Sequence, residues 1–267
     1  MPAPLGQHFL TDTETLQIIA EAAGIQSRET IIEIGPGTGA LTRQLARIFT
    51  AVGGKRLIAL ERDSKLAAEL PGRIKDVASF LEVQQGNALE LLPAITREME
   101  ATNAIYSITG NIPYYITGQL LRIIGELSHK PRTVVLTLQR EVAERLSAKP
   151  PHMNLLAANV QHWADVAVVR LVPRSAFRPV PNVDSAVVRL TPRVSDEPND
   201  ARYHAFVRAL FKQPRKTIGN NLRPYATALG MPKEALEKIL AETGVVSSDR
   251  PQLLPRETIE RLTRAFG

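Results

Sequence analysis

The stretch that most constrains the fold is a buried strand followed at once by a glycine-rich turn and a helix. Ile31–Ile34 is a short run of mostly β-branched residues, Gly35–Gly39 (Gly-Pro-Gly-Thr-Gly) is the turn, and Leu41, Leu45 and Ile48 then recur at helical spacing. In an open parallel sheet this turn lies at the carboxyl end of its strand, in the crevice where ligands bind. Because glycine lets a ligand approach the backbone closely, the pattern predicts an α/β fold with a ligand site here.

Further strand-length runs follow the first one and alternate with helical patterns. They are Leu57–Leu60, Phe80–Val83, Ile105–Thr109, Thr133–Leu138, Val166–Val172 and Ala186–Leu190, and a helical pattern at Leu16, Ile19, Ala20 and Ala23 precedes them all. Strands that alternate with helices are typical of a parallel sheet. Residues 173–184 are too few and too rich in proline for a helical crossover, so the last two strands are predicted to be antiparallel.

Beyond Thr191–Asp200, which has prolines and charges but no apolar periodicity, the pattern is helical only. Pro214 suits the first turn of a helix, and residues 234–240 and 258–266 have helical spacing. A further apolar helix face is formed by Tyr203, Phe206, Val207, Leu210 and Phe211. We therefore predict an α/β domain at residues 1–192 and a small all-helical domain at residues 193–267.

Composition narrows the class of protein. The 267 residues include no cysteine, which excludes disulfides, thiolate metal sites and cysteine nucleophiles, and no metal-ligand spacing is visible. The first residues lack the charge and apolar pattern of a secretory signal or a membrane span, so a cytoplasmic protein without a membrane partner is expected. A net charge of +6 and an isoelectric point near 9.7 favour a polyanionic partner.

Three positions are candidates for binding a nucleoside cofactor. The G-x-G-x-G turn containing Gly35 and Gly37 lacks the third-glycine spacing of dinucleotide-binding folds, which favours a methyltransferase over a dehydrogenase. Glu61 ends the second strand, where its carboxylate would accept both ribose hydroxyls, although an acid there is also an ordinary surface residue. Asn87 follows the third strand and would accept from an adenine amino group, while its simpler interpretation is a turn residue.

The fourth strand ends at Asn111-Ile112-Pro113-Tyr114, a set that suits methylation of an aromatic amine. The adenine amine is a poor nucleophile because its lone pair is delocalised into the ring. The Asn111 side-chain oxygen and the carbonyl of Ile112 or Pro113 would each accept one N–H and turn the lone pair toward the methyl group. Tyr114 would stack on the base. The alternative is a simple Asn-x-Pro turn with packed tyrosines.

Five motifs together resemble the ribosomal RNA adenine N6,N6-dimethyltransferase family, and most closely its bacterial small-subunit type. They are Gly6–Leu10, Glu33–Gly39, Asn111–Tyr115, Phe177–Ser185 and Arg215–Leu222, and they span nearly the whole chain. The resemblance implies a Rossmann-like class I methyltransferase fold, S-adenosyl-L-methionine as cofactor, and dimethylation of two adjacent adenines in the 3′-terminal hairpin of small-subunit rRNA, within an assembling 30S subunit. It further implies that His8, Leu10, Gly35, Glu61, Asn87 and Asn111 contact the cofactor.

Two segments depart from the family pattern. Asn87 stands where the family usually has Asp, which keeps an acceptor oxygen but removes a charge. Lys149–Asn154 is shorter than its counterpart and lacks a Tyr-Gly turn, so RNA contacts in that region are expected to differ.

A basic strip in the helical region is the candidate RNA surface. From Arg202 to Arg223 there are six Lys or Arg residues and no acid. Its members Arg208, Lys212, Arg215 and Lys216 are predicted to contact RNA phosphates, with Arg140 and Arg145 added from the first domain; the alternative is a solvated helix face. Two other functions stay open: dimethylation of large-subunit rRNA, as in macrolide-resistance enzymes, and an rRNA-binding assembly factor with secondary activity. A monomer is expected, since nothing in the sequence demands a dimer.

Overall fold

The computed structural model describes residues 8–74, 79–193 and 201–267. Gly6, Gln7 and most of the predicted boundary Thr191–Asp200 therefore lie outside the described residues. The strands are β1 (Phe9–Leu10), β2 (Thr30–Ile34), β3 (Arg56–Glu61), β4 (Leu81–Gln85), β5 (Tyr106–Asn111), β6 (Val134–Gln139), β7 (Ala164–Val172), β8 (Phe177–Arg178) and β9 (Ser185–Pro192). The helices are α1 (Thr13–Ala22), α2 (Ala40–Val52), α3 (Ser64–Arg73), α4 (Ala88–Ala101), α5 (Thr117–Glu126), α6 (Arg140–Leu146), α7 (Leu155–Trp163), α8 (Ala201–Leu210), α9 (Ile218–Ala228), α10 (Lys233–Glu242) and α11 (Arg256–Ala265).

Within the described residues, seven strands form one sheet in the order β4-β3-β2-β5-β6-β9-β7. The five strands from β4 to β6 are parallel, and β9 is antiparallel to β6. The Arg193 N–H donates to the Trp163 carbonyl at 2.9 Å, which joins the end of β9 to the start of β7 and makes this pair antiparallel. The predicted strands and the antiparallel last pair are thus confirmed.

The chain divides into two compact units, residues 1–143 with 165–192, and residues 144–164 with 193–267. One division falls after residue 192, and the domain boundary between residues 192 and 193 stays a prediction. The segment 144–164 differs from the prediction, which placed it in the first domain. It groups with the helical unit because α7 packs against α8 and α11.

The core of the first unit packs α1 and α2 on one face of the sheet. Ile31, Leu57 and Val135 of the central strands are completely buried against them. The start of α1 is set by Asp12, whose side chain accepts from the Thr15 N–H at 2.9 Å and satisfies a backbone donor that the helix cannot. Every residue of β2 is buried, so side chains on both faces of this central strand are covered. This explains the continuous hydrophobic runs of the central strands.

The second unit is a helical bundle whose core contains the predicted apolar face of α8. The prediction for Pro214 was wrong, because α9 begins only at Ile218 and Pro214 lies in the turn before it. Thr217 supplies the helix cap, and the Asn221 side chain hydrogen-bonds both the N–H and the carbonyl of Gln213. Asn221 belongs to α9, and its side chain stabilises the turn that precedes this helix.

In the parts of the chain that the structure describes, every helix is too short or too polar to cross a bilayer.

Candidate active site

A cleft opens where β2, β3, β4 and β5 end at their carboxyl termini. In a parallel sheet these ends lie along one edge, so residues from four separate segments meet there. The cleft is lined by nearly all of the predicted cofactor and catalytic positions: His8, Gly35, Gly37, Glu61, Asn87, Asn111, Pro113 and Tyr114.

Leu10 is the predicted position that does not line the cleft. Its side chain is buried in the core of the first unit, and its backbone pairs with Phe177 in the short ladder of β1 and β8. The preceding residue, Phe9, lines the cleft instead. Alternation along a strand sends neighbouring side chains to opposite faces, so the N-terminal segment offers Phe9 to the cleft and Leu10 to the core.

The glycine turn after β2 requires its glycines for geometric reasons. Gly35 and Gly37 have φ angles of +69° and +56°, in the left-handed region that other residues avoid. A Cβ atom on Gly37 would also lie 2.9 Å from the Phe9 ring. The turn therefore presents bare backbone to the cleft while Phe9 packs against it.

Glu61 connects this turn to the end of β3. One carboxylate oxygen accepts from the Gly37 N–H at 3.0 Å, and the other accepts from the Asp63 N–H at 2.9 Å. The side chain is buried but still lines the cleft. Each oxygen keeps a second lone pair, so the carboxylate can hold the turn and accept two hydroxyls of a ribose in a fixed orientation.

Glu33 is a second buried acid, one strand away from Glu61. Neither of its carboxyl oxygens makes a hydrogen bond within the described part of the chain. Complete burial raises the pKa of Glu33 to about 8, the negative charge of Glu61 acts in the same direction, and the nearby Thr42 hydroxyl only partly offsets them. Glu33 is therefore mostly protonated at neutral pH.

Asn87 lines the cleft but also begins α4. Its side-chain oxygen accepts from the Leu89 N–H at 3.2 Å, and its amide nitrogen donates to Glu90 at 2.8 Å. Asn87 is therefore the N-cap of α4. One lone pair of the oxygen is left for a donor in the cleft.

Asn111 is oriented by the N-terminal segment. Its amide nitrogen donates to the backbone carbonyl of His8 at 3.0 Å, and the His8 ring in turn contacts the Pro179 carbonyl at 2.8 Å. Because the nitrogen is engaged, the side-chain oxygen is defined as the acceptor, and no described residue donates to it. Two distant segments thereby set which way this amide faces.

The Tyr114 side chain is positioned by Ser185 and His8. Its hydroxyl lies 2.7 Å from the Ser185 hydroxyl, and its ring is stacked with His8 at a centroid distance of 6.5 Å. The ring is half-buried, and this burial raises the pKa of the Tyr114 hydroxyl. Ser185 belongs to the motif around Phe177–Ser185, but only the folded chain shows that it fixes this tyrosine.

The model of the ribosomal RNA adenine dimethylase family matches residues 3–262 of this chain. The chain belongs to that family. A "Ribosomal RNA small subunit methyltransferase A" of Bacillus mycoides is 35% identical over 98% of this chain and 90% of its own length. The protein of the same name from Bacillus anthracis shows the same identity and coverage.

Two solved structures share the architecture of this dimethylase. A dimethyladenosine transferase from Plasmodium falciparum has a TM-score of 0.77 and 25% identity, and the match covers 96% of each chain. The 23S rRNA methyltransferase ErmE has a TM-score of 0.71 and 26% identity, with 97% of this chain and 99% of the other covered. The predicted class I methyltransferase fold and rRNA adenine methyltransferase activity are confirmed.

The predicted RNA contacts of the dimethylase are all exposed. In the helical unit these are Arg145, Arg208, Lys212, Arg215 and Lys216, and in the α/β unit Arg140. Arg208 and Lys212 also line a shallow groove with Asn221, Pro224 and Tyr225. Among the described residues no group of three His, Cys, Asp or Glu side chains could hold a metal ion.

Phe9, Arg62 and Tyr115 also line the cleft but were not predicted from the sequence. Phe9 and Tyr115 lie inside the motifs that carried the resemblance, and Arg62 directly follows Glu61. Their closeness in the chain to predicted site residues could therefore have identified them. Nothing in the sequence indicates their contacts.

Proposed function

We propose that this dimethylase transfers methyl groups from S-adenosyl-L-methionine to the N6 amines of two adjacent adenines in the 3′-terminal hairpin of small-subunit rRNA. The observation that carries the proposal is the cleft itself, in which the oriented Asn111 oxygen and the Tyr114 ring lie beside a glycine turn and a buried carboxylate. The small-subunit target is supported by the 35% identity to the Bacillus proteins over almost the whole chain.

The residues around β2 and β3 fit the nucleoside part of this cofactor. Gly35 and Gly37 leave room above the backbone, and the Glu61 carboxylate is buried with lone pairs available for ribose hydroxyls. Asn87 retains one acceptor lone pair for the adenine amino group, and His8 and Phe9 line the same cleft. The bound cofactor supplies an electrophilic methyl group; the protein's own residues hold and orient it.

The residues after β5 would hold the target adenine. The Asn111 oxygen accepts one N6–H, and the Ile112 carbonyl accepts the other. Ile112 is preferred to Pro113 because the Pro113 carbonyl already accepts from the Ile116 N–H at 3.2 Å. With both hydrogens accepted, these residues would direct the nitrogen lone pair toward the methyl group that the bound cofactor would supply, and the N6 proton would leave to a carbonyl or water. Tyr114 stacks on the base.

The exposed arginines and lysines are assigned to RNA phosphates. Reversing Arg208 and Lys212 to Glu is expected to weaken RNA binding and to reduce the slope of log affinity against log salt by about 1 for each lost phosphate contact. The same reversal at Lys233 and Lys238 of α10, exposed lysines of the same unit among acids, serves as the control. Equal slopes for the two double variants would remove Arg208 and Lys212 from the interface.

The function is tested by transfer of labelled methyl groups to small ribosomal subunits that lack adenine dimethylation, followed by mapping of the modified bases. Dimethyladenosine at two adjacent adenines of the 3′-terminal hairpin is the expected result. Large ribosomal subunits are assayed in parallel because ErmE, a 23S rRNA methyltransferase, shares the fold. Transfer to the large subunit alone would overturn the proposed target, and subunit binding without transfer would favour an assembly factor.

A further inference from the structure

Tyr115 is an exposed aromatic residue at the mouth of the cleft. It follows Tyr114 directly, but 64% of its surface is accessible, whereas Tyr114 is half-buried and bonded to Ser185. Exposing a large aromatic ring to water is unfavourable, because burial would remove its apolar surface from water. A ring that is exposed beside a reaction site therefore indicates a binding role.

Arg62 holds the Tyr115 side chain in place. The guanidinium donates to the Tyr115 hydroxyl at 3.1 Å, and Arg62 also lines the cleft. Arg62 directly follows β3 and Tyr115 follows the end of β5, and both strands neighbour β2 in the sheet. The hydrogen bond therefore crosses the mouth of the cleft above the end of β2, between the Glu61 side and the Asn111 side.

Arg62 is not neutralised by an acid in the described residues. Its backbone carbonyl accepts from Gln85 at 3.5 Å, and the adjacent Asp63 carboxylate is engaged with the N–H groups of Lys65 and Leu66 that begin α3. A positive charge and an aromatic ring are thus presented together at the cleft mouth. This combination binds unpaired RNA, in which bases stack on aromatic rings and phosphates pair with arginine.

We propose that the Tyr115 ring, oriented by Arg62, is the stacking platform for the unpaired nucleotide next to the adenine that is being methylated. The inference rests on the proposed function, in which the two target adenines are adjacent. While one adenine occupies the site of Asn111 and Tyr114, its neighbour has to be accommodated within one nucleotide's length of it. Tyr115 is one residue from Tyr114, at the opening through which the RNA strand enters.

The platform makes a specific prediction about the neighbouring base. A purine has a larger stacking surface than a pyrimidine, so replacing the neighbouring adenine by uracil is expected to raise KM for the wild-type enzyme. Tyr115→Ala is expected to raise KM by about tenfold for unmethylated small subunits that carry adenine at both positions, since one base stacked on an aromatic ring contributes an effect of this size. In Tyr115→Ala the uracil substitution should then add little, because both changes remove the same contact.

The experiment measures methyl transfer by four pairs: wild type and Tyr115→Ala, each with unmethylated small subunits that carry adenine or uracil beside the target. Tyr115→Phe keeps the ring and is expected to retain most of the wild-type preference, with a smaller loss from the missing bond to Arg62. Ile105→Ala removes a similarly exposed side chain (54%) next to the other end of β5 and should leave KM unchanged.

Binding of S-adenosyl-L-methionine to each variant, measured by calorimetry, separates this role from a structural one. The expected result is an unchanged cofactor dissociation constant in Tyr115→Ala. A cofactor affinity lowered as much as KM is raised would assign Tyr115 to the cofactor instead, and equal uracil effects in wild type and Tyr115→Ala would overturn the platform. If wild type methylates neither adenine of normal subunits, the proposed function fails first.

Discussion

The two sides of the cleft are built in different ways. On the cofactor side, the glycine turn, Glu61 and Asn87 each lie at or just after the end of a strand, and the carboxylate of Glu61 accepts from backbone N–H groups 24 and 2 positions away. On the target side, Asn111 depends on the backbone of His8, and Tyr114 depends on Ser185, partners that are 103 and 71 positions away in the chain. The first side depends mostly on residues around strand ends, and the second depends on partners that are more distant in the chain.

This difference implies that the two sides can be disturbed separately. Changes on the cofactor side should act on cofactor affinity, whereas changes on the target side should act on the rate of transfer at saturating cofactor. Substitutions on each side of the cleft test that separation.

Asn111→Ala removes the oriented acceptor and is expected to lower kcat by about 10²–10³-fold, the range seen when one preorganised hydrogen-bonding group is lost from an active site. Cofactor affinity should change far less. Single-turnover methyl transfer and calorimetry measure the two quantities. Wild-type turnover in this variant would exclude Asn111 from the reaction, and a large loss of cofactor affinity alone would move it to the other side of the cleft.

Glu61→Ala should weaken cofactor binding by about 10–100-fold, since hydrogen bonds to a charged group contribute about 1.5–3 kcal/mol and 1.4 kcal/mol corresponds to tenfold. The N–H groups of Gly37 and Asp63 also lose their acceptor. Glu61→Gln, which keeps the size and one acceptor oxygen, should bind the cofactor with an affinity between those of wild type and Glu61→Ala. An unchanged dissociation constant in calorimetry would show that Glu61 supports only the turn.

Ser185→Ala removes the partner of the Tyr114 hydroxyl and is expected to reduce kcat about fivefold, in line with a net hydrogen bond of about 1 kcal/mol. Tyr114→Phe should have a similar effect, and the double variant should be no slower than either single one because the same bond is lost. Additive losses in this cycle would mean that the two residues act independently, which would weaken the contrast with the cofactor side.

Glu33→Gln should have the smallest effect on transfer at neutral pH, because Glu33 is already uncharged there. Its effect is on stability. The carboxyl loses its proton near 4.5 in the unfolded chain and near 8 in the folded protein, so folding binds a proton between these values and wild-type stability falls as pH rises. Thermal melts should show the variant gaining stability relative to wild type across this window. A pH-independent difference would show that Glu33 is charged when folded.

More of the cofactor side than of the target side could be predicted from the sequence. Gly35, Gly37, Glu61 and Asn87 were predicted from strand endings, because alternation and glycine turns are short-range properties. The alternative interpretation of Asn87 was a turn residue, and the cap that it forms on α4 was not predicted. Leu10 was carried over by resemblance, and the structure places it in the core, since only the β1–β8 ladder decides which face of that strand meets the cleft.

The alternating strands and helices, the antiparallel last strand pair and the cofactor turn follow from the amino-acid sequence, because each depends on periodicity or on a residue type within a few positions. The tertiary structure alone decided the placement of residues 144–164 with the helical unit, the partners of Asn111 and Tyr114, and the bond between Arg62 and Tyr115. These contacts join segments far apart in the chain, and no local pattern specifies which distant groups the packed core will bring within hydrogen-bonding distance.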